Sequence, residues 1–309
     1  MDEKVLFLRG VLKEKIWGST YFKDRLGLTT SSSLIGELWS ASGHPEGSSV
    51  IKNGPLKGKT LNEVYQTNRY LFGTLNPAFP LLVKIIATSD DLSVQVHPSD
   101  EDVKNSSDQG KAEGWLVLEA KPNSKIVWGH QAKNKQEFFE AVQNKTITEL
   151  LNYYPVKKGM YRFISPGVVH SLGKGIVVLE IQQSSDTTYR IYDYDRIDSN
   201  NQKRELHLEK ALEVIKYNMT PTTDDTDYLN FEEDIVLDQN AYFKAELLNV
   251  RNEKTIFNQD AKMSIVTVIE GTVDVFGHEV KPGESFIITA LCEKLEIKGM
   301  GKIALIKAA

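Results

Sequence analysis

The feature that most constrains this 309-residue chain is a short alternating segment at residues 93–98, SVQVHP. Alternate side chains of a β-strand share one face, so Gln95 and His97 should point the same way. Glu113 opens the next apolar strand candidate, and His170 stands where a Pro-Gly turn leads into another strand. This mixed nitrogen and oxygen set suits Zn²⁺ and can also hold other divalent first-row ions. The pattern predicts a metal site inside a β-lined cup.

The other four histidines have weaker surroundings. A single histidine on a strand is more often a structural residue than a ligand, and His130, His207 and His278 lack comparable neighbours. His44 lies in a Gly-His-Pro-Glu loop, and we keep it as a candidate pocket residue. The strength of the metal prediction therefore comes from the combination of four residues rather than from any one of them.

Composition limits the class of function. The formal net charge is −5, and no Lys/Arg cluster large enough to neutralise a phosphate backbone is visible, which argues against nucleic-acid binding and favours a small-molecule partner. No apolar run approaches the roughly 20 residues that span a bilayer, and the N-terminus lacks a secretory pattern. Cys292 is the only cysteine and cannot form an internal disulfide. We expect a cytoplasmic protein that does not bind membranes.

Two segments have helical periodicity in a chain otherwise rich in short β-like runs. Residues 60–72 begin with Thr60 and carry Glu63 three positions later, which is a capping-box pattern. Residues 135–152 place their apolar side chains broadly on one face and predict two short helices broken near Asn144. We interpret the second segment as a helical insertion.

An acidic stretch at residues 219–234, in which we expect little to be buried, predicts a linker. We therefore divide the chain into a metal-binding domain with helical segments at residues 1–228 and a C-terminal β domain without metal ligands at residues 229–309. Residues 164–171 and 280–287 resemble each other weakly, and Phe286 stands where His170 stands in the first copy. The similarity predicts two related β-barrels, of which only the first kept its ligands.

Seven ordered motifs resemble the type I phosphomannose isomerases, a metal-dependent cupin family. Their order along the chain is more specific than any one of them. The motifs are KIWG at 15–18, GELW at 36–39, FPLLVK at 79–84, LSVQVHP at 92–98, GKAE at 110–113, PGVVH at 166–170 and TYRIYD at 188–193.

The resemblance implies a mainly β fold of two cupin-like β-barrel (jelly-roll) domains with a small helical insertion in the first. It implies an aldose-ketose isomerase that interconverts mannose 6-phosphate and fructose 6-phosphate through a metal-stabilised enediolate. The implied cofactor is one Zn²⁺ per subunit of a monomer or homodimer, with His97, Glu113 and His170 as ligands and Gln95 as a fourth ligand that some members use.

Further roles are carried over by motif. Arg190, Glu180 and Lys111 would be catalytic, and a permanently charged guanidinium at Arg190 suits a developing negative charge. Substrate-binding residues would be Ser93, Lys111, Arg190 and Trp17, together with His44, which we include because of its loop rather than a motif. The base is left open between Glu180, Lys111 and a metal-bound water, and Lys111 is also a candidate phosphate ligand.

The chain departs from the family pattern at Gly114, where a larger residue is common, and we expect the substitution to widen the edge of the pocket. Ser19 also follows Gly18 where the family usually has a second glycine. Two rival functions stay open. One is an oxygenase, because two histidines and a carboxylate also form a facial iron site. The other is a non-catalytic cupin that binds a sugar phosphate.

Overall fold

The structure is a computed structural model that describes residues 3–74, 76–197, 201–219 and 225–309. Within these residues the chain is mainly β, as predicted, and its short helices lie between strands. The strands are β1 (Val5–Arg9), β2 (Val11–Ser19), β3 (Ile35–Ser42), β4 (Val50–Ile51), β5 (Leu81–Ala87), β6 (Val94–Val96), β7 (Glu113–Ala120), β8 (Lys125–His130), β9 (Leu151–Pro155), β10 (Tyr161–Ile164), β11 (His170–Leu172), β12 (Ile176–Gln183), β13 (Tyr189–Tyr192), β14 (Ile235–Gln239), β15 (Phe243–Phe257), β16 (Ser264–Val275), β17 (His278–Val280), β18 (Ser285–Ile288) and β19 (Lys294–Ala308). The helices are α1 (Tyr21–Asp24), α2 (Leu61–Thr67), α3 (Asp100–Val103), α4 (Lys135–Gln143), α5 (Ile147–Leu150) and α6 (Leu208–Val214), with a 3₁₀ turn at Arg69–Leu71.

Two antiparallel sheets face each other in the part of the chain that carries the metal motifs. One has the strand order β10-β7-β12-β5-β3-β2, and the other has the order β13-β6-β11-β8-β9. Side chains from both sheets, among them Trp115, Trp128, Leu172 and Val178, pack into a common core. The hydrogen-bonded sheets are open rather than closed rings, so the predicted barrel is a two-sheet sandwich. This arrangement brings β6 and β11 of one sheet opposite β7 of the other.

The third sheet is built mainly from the C-terminal part of the chain. Its order is β14-β15-β19-β16-β18-β1-β4, with β17 paired to β16. The first strand of the chain is part of it, because Val5 pairs with Ile288. Residues 225–309 contain strands and turns but no helix, as the sequence predicted. The division of the chain after residue 228 stays a prediction, and β1 lies in the sheet of the C-terminal part.

A large apolar cluster joins the sandwich to the C-terminal sheet. It includes Phe79 from the first part and Ile306 from the second, both almost completely buried. Of the predicted linker, residues 220–224 lie outside the described residues. The expectation that little of the segment is buried is wrong, because Leu229 and Phe231 enter this shared cluster. These two apolar side chains, at alternate positions, dock there although Asp227 and Glu232 lie close to them in the sequence.

Both helical predictions agree with the structure. Glu63 donates its backbone N–H to the Thr60 hydroxyl at 3.2 Å, and its carboxylate accepts the Thr60 backbone N–H at 2.7 Å, so the capping box is present at α2. The second segment forms α4 and α5, which are separated at Asn144 as expected. Among the described residues, no helix combines the length and apolar character that crossing a bilayer requires.

Candidate metal centre

Strand register places the predicted ligands beside one another. His170 opens β11 and pairs with Gln95 of β6, and Gln95 in turn pairs with Arg190 of β13. His97 follows β6 directly, and Glu113 is the first residue of β7 in the facing sheet. The sandwich therefore brings four residues that are distant in sequence to one point between its sheets.

Three buried side chains form the centre. The Nε2 atoms of His97 and His170 are 3.2 Å apart. The two oxygens of Glu113 lie 3.4 Å from His97 Nε2 and 3.3 Å from His170 Nε2. One ligand atom from each of the three residues lies within 4.8 Å of the others. This spacing is close enough for all three to reach one common ion.

The hydrogen bonds around the imidazoles fix their tautomers. His97 Nδ1 lies 2.8 Å from the backbone oxygen of Thr187, and His170 Nδ1 lies 2.8 Å from that of Val168. A carbonyl oxygen can only accept, so each Nδ1 carries the proton and each Nε2 presents its lone pair to the centre. Glu113 Oε1 has no hydrogen-bond donor among the described residues, and Oε2 has only the ammonium of Lys111, at 2.8 Å. Converging acceptors of this kind repel one another unless a cation lies between them, and they fit a divalent metal.

Burial and charge set the protonation states that metal ligands require. Burial, followed by the charge of Lys111, lowers the pKa of His97 to about 3, so its imidazole is neutral. Burial by itself raises the pKa of Glu113, but Lys111 and the two imidazoles outweigh it and hold this pKa well below the usual value. A neutral imidazole and an ionised carboxylate bind a metal without first losing protons.

Gln95 lies against the same centre. Its Nε2 is 3.3 Å from His170 Nε2 and 3.5 Å from His97 Nε2, and its Oε1 accepts the Ser93 hydroxyl at 3.4 Å. Rotating the amide group of a glutamine by 180°, a half-turn, exchanges its oxygen and nitrogen. Which of the two orientations is present is assigned from the hydrogen-bond network. A half-turn directs the Gln95 oxygen at the space that the other three residues share.

A small cleft with a cavity volume of about 70 Å³ opens beside the centre. Five of the predicted pocket residues line it: Trp17, Ser93, Lys111, Glu180 and Arg190. The complete lining is Lys15, Trp17, Glu37, Lys84, Ile86, Leu92, Ser93, Gln95, Lys111, Trp115, Glu180, Asp186, Thr188, Arg190 and Arg204. His44 is not part of this lining, and its ring packs edge-on against Trp39 at a centroid distance of 5.6 Å.

Lys111 and Glu180 occupy different places in the cleft. The Nζ atom of Lys111 lies 2.8 Å from Glu113 Oε2 and 3.2 Å from His97 Nε2, so this buried ammonium contacts the ligand cluster itself. Glu180 lies further along the wall, where its Oε2 accepts the Trp115 indole N–H at 2.8 Å and its Oε1 is 3.2 Å from Lys84 Nζ.

The reasoning from sequence missed a row of charged residues on the six-stranded sheet. Lys84 pairs with Glu180 on one neighbouring strand and with Trp39 on the other. Glu37 accepts the Trp39 indole N–H at 2.6 Å and lies 3.2 Å from Lys15 Nζ. The available signal was Lys84 itself, because a lysine inside the otherwise apolar run of β5 must find a partner when that run is buried.

Arg190 is held at the cleft by uncharged groups. Its Nε donates to the Ser93 hydroxyl at 3.3 Å, and its Nη1 donates to the backbone oxygen of Glu205 at 2.8 Å. Burial, followed by the charge of Arg204, lowers the pKa of Arg190. Because a guanidinium remains protonated at any ordinary pH, Arg190 contributes a fixed positive charge beside Gln95.

The expectation that Gly114 widens the pocket is wrong. A Cβ atom at Gly114 would lie 2.1 Å from the hydroxyl oxygen of Tyr161, which fills the space instead. That hydroxyl donates to Asp238 Oδ2 in β14 at 2.6 Å. Gly114 therefore makes room for a contact between the sandwich and the C-terminal sheet.

Two facing antiparallel sheets with a His-Glu-His cluster between them define a cupin-type sandwich with a candidate metal centre. Two family models match the chain: phosphomannose isomerase type I, catalytic domain, over residues 5–114, and mannose-6-phosphate isomerase, cupin domain, over residues 234–308. These matches cover the first metal motifs and most of the C-terminal sheet.

Known proteins resemble the chain over nearly its full length. The mannose-6-phosphate isomerase ManA of Bacillus subtilis is 40% identical over 276 residues, which cover 88% of this chain and 87% of that protein. The mannose-6-phosphate isomerase of Streptococcus mutans is 36% identical over 306 residues, 95% of either chain. A crystal structure of the mannose 6-phosphate isomerase from Bacillus subtilis matches with a TM-score of 0.88 and 33% identity, covering 98% of this chain and 99% of that one. The chain belongs to the type I phosphomannose isomerase family, as its motifs predicted.

Proposed function

We propose that the chain interconverts mannose 6-phosphate and fructose 6-phosphate, with a divalent ion held by His97, Glu113 and His170. Family membership supports the reaction, and the single observation that carries the metal is the convergence of two Nε2 lone pairs and both Glu113 oxygens. Gln95 is proposed as the fourth ligand through its amide oxygen. Two nitrogens, a carboxylate and an amide oxygen suit Zn²⁺, which we propose at one ion per subunit.

The isomerisation moves a proton from C2 to C1 of the open-chain sugar, and negative charge develops on the neighbouring oxygens. A divalent ion at the centre supplies a Lewis acid for these oxygens. Arg190 adds a second positive charge, and because its hydrogen-bond partners are the Ser93 hydroxyl and the backbone carbonyl of Glu205, which are both uncharged, its own charge is not neutralised by them. We propose Ser93 and Trp17 as further substrate contacts.

We propose Glu180 as the residue that carries the proton, with Lys111 as the alternative. Lys84 and the Trp115 indole hold the carboxylate of Glu180 in one orientation at the cleft wall. Lys111 contacts the ligands Glu113 and His97, so its charge acts at the metal-facing end of the cleft. Replacing Glu180 by Gln keeps the shape of the side chain and removes the base, so it distinguishes the two assignments.

The remaining proposals concern the setting of the reaction. We propose that the chain works in the cytoplasm, where sugar phosphates are metabolised, and its one cysteine, Cys292, is a buried free thiol. A monomer and a homodimer both fit the proposal, because the residues of the candidate centre all come from one chain.

The direct test is a coupled assay with mannose 6-phosphate on the chelated protein before and after addition of Zn²⁺. We expect chelation to abolish turnover and Zn²⁺ to restore it. His97→Ala should lose bound metal, whereas the control His278→Ala, at an exposed position in β17, should keep it. Arg190→Ala should keep its metal and lose turnover. Tight binding of mannose 6-phosphate without conversion by metal-loaded protein would support the non-catalytic binder instead.

A further inference from the structure

The lysines that line the cleft are each matched by a carboxylate. The three pairs are Lys15 with Glu37 at 3.2 Å, Lys84 with Glu180 at 3.2 Å, and Lys111 with Glu113 at 2.8 Å. A buried ammonium with its own counter-ion has little remaining charge to offer a dianionic ligand. Lys15 and Lys84 are therefore each neutralised by a carboxylate on the same sheet, whereas Lys111 shares Glu113 with the proposed metal ion.

The arginine side has an excess of positive charge. Arg190 forms no ion pair with a carboxylate in the described part of the chain. Arg204 shares the buried carboxylate of Asp193 with Arg196, whose Nη2 also lies 2.6 Å from Asp193 Oδ1. Arg196 and Arg204 thus share one buried carboxylate, and the outer partner of Arg196, Asp90, is largely exposed to solvent. Asp186 also lines the cleft but forms no ion pair with a guanidinium among the described residues, so Arg190 has no carboxylate partner of its own.

The guanidinium of Arg204 is held in a fixed plane. Its Nε donates to Asp193 Oδ2 at 2.7 Å and its Nη2 donates to Asp193 Oδ1 at 2.5 Å, which is the two-point geometry that orients an arginine most firmly. Its third nitrogen, Nη1, makes no hydrogen bond within the residues that the structure describes. Arg204 lines the cleft, so this nitrogen is available to a ligand there.

We propose that Arg204, oriented by Asp193, anchors the phosphate group of the substrate, and that Arg190 lies beside it on the side of the metal centre. The proposal rests on the proposed function and adds the site that selects phosphorylated sugars. A phosphate monoester brings about 1.5 to 2 negative charges at neutral pH, which matches the excess on this side. Lys111 is a poorer candidate, because its ammonium lies against the ligands Glu113 and His97, at the metal-facing end of the cleft.

The test compares metal-loaded wild type with Arg204→Gln in steady-state kinetics with mannose 6-phosphate. Loss of a charge-assisted contact to phosphate should raise KM by about 10- to 100-fold, while kcat changes by less than about threefold. Inorganic phosphate should inhibit the wild type competitively, and its inhibition constant should rise in parallel with KM in the variant. Arg204→Lys, which keeps the charge but loses the planar fork, should fall between the two. The control Arg25→Gln, which removes an exposed guanidinium that is not part of the cleft lining, should change neither constant.

Each outcome decides the proposal. An unchanged KM and phosphate inhibition constant in Arg204→Gln would overturn it, and so would a fall in kcat alone, which would assign Arg204 to the reacting end of the sugar. If Arg204→Gln does not fold, Asp193→Asn weakens the same orienting fork and should raise KM in the same way. If wild-type protein does not turn over mannose 6-phosphate, the proposed function fails, and calorimetry with inorganic phosphate on wild type and Arg204→Gln still tests the anion site.

Discussion

In the sandwich, a Pro-Gly turn at Gly167 leads into β11 and His170, and in the C-terminal sheet a Pro-Gly turn at Gly283 leads into β18 and Phe286. Both glycines have positive φ angles, +85° and +83°, which residues with a side chain rarely adopt. The N–H of Gly167 bonds to the carbonyl of His97, whereas that of Gly283 bonds to the carbonyl of Val268. One local turn therefore supports a ligand in one place and a core aromatic in the other.

The two regions differ most in what they bury. Among the described residues, the buried carboxylates, ammonium groups, guanidiniums and imidazoles all lie before β14. They are Glu37, Lys84, His97, Lys111, Glu113, His130, Arg162, His170, Glu180 and Asp193. The buried polar groups of residues 225–309 are hydroxyls and an amide at Asn258, Ser264, Thr267, Ser285 and Thr289. Since buried charges require partners, the first region is organised around ion pairs and the second around packing.

The largest effect should follow from making the first region resemble the second. His170→Phe removes an imidazole ligand and places an apolar ring against Glu113. We expect metal content, measured by elemental analysis, to fall to background and mannose 6-phosphate turnover to drop by about 10³-fold or more, because a metal Lewis acid supplies several kcal/mol. A variant that keeps one ion per chain would show that His170 is not a ligand.

The reciprocal change, Phe286→His, tests whether the turn alone can create a site. Phe286 is completely buried among apolar side chains, including Val266 and Leu295. The smaller polar ring should lower the free energy of unfolding by about 3 kcal/mol without adding a metal site, since the cluster contains only one other possible ligand, the thiol of Cys292, and a protein metal site needs at least three. Denaturant unfolding and metal analysis of the same sample measure both quantities. A gain of bound metal would contradict this view of the C-terminal region.

The sequence allowed prediction of features that depend on local pattern. Alternation located Gln95 and His97 on one face, a capping box located α2, and Asn144 marked the break between α4 and α5. The metal residues were predictable because each belongs to a short motif, although their meeting depends on the register between distant strands. Geometry now supports that prediction for the three clustered residues and places Gln95 beside them.

Features that depend on long-range pairing were not predictable. The ion pair between Lys84 and Glu180 exists because β5 and β12 are neighbours in a particular register, which no local pattern specifies. The same is true of β1, whose apolar residues give no sign that their partner is β18 near the other end of the chain. Gly114 was misinterpreted because the ring that fills its space, Tyr161, comes from another strand.

The ion pairs of the sandwich should make stability sensitive to acid through Glu37. Burial alone raises the pKa of this carboxyl, but Lys84, Lys15 and the Trp39 indole outweigh it and lower the pKa from 4.5 to about 2. A lowered folded-state pKa adds stability that is fully present above pH 4.5 and is lost as the pH falls towards 2. The size of the shift corresponds to a contribution on the order of 3 kcal/mol.

Glu37→Gln should therefore be less stable than wild type by up to about 3 kcal/mol at pH 7, and the difference should shrink steadily from pH 4.5 to pH 3. Denaturant unfolding at a series of pH values measures this. The matched control is Glu279→Gln, an exposed position on β17 of the C-terminal sheet, which should show no such trend. A stability difference for Glu37→Gln that is constant with pH would mean that lost packing, rather than charge, explains its effect.

The smallest expected effect concerns the contact that joins the two regions. Burial and the nearby Asp238 carboxylate raise the pKa of Tyr161 well above its usual value, so its hydroxyl remains a donor to Asp238. Tyr161→Phe should cost about 1 kcal/mol of unfolding free energy, and Gly114→Ala about 1 to 3 kcal/mol, because its methyl group displaces the ring. In the double variant the clashing oxygen is gone. The loss of unfolding free energy in the double variant should therefore be about 1 kcal/mol smaller than the sum of the losses in the two single variants. Strictly additive costs would show that Gly114 is constrained by something other than the Tyr161 hydroxyl, and the link between the regions would then rest on the shared apolar cluster alone.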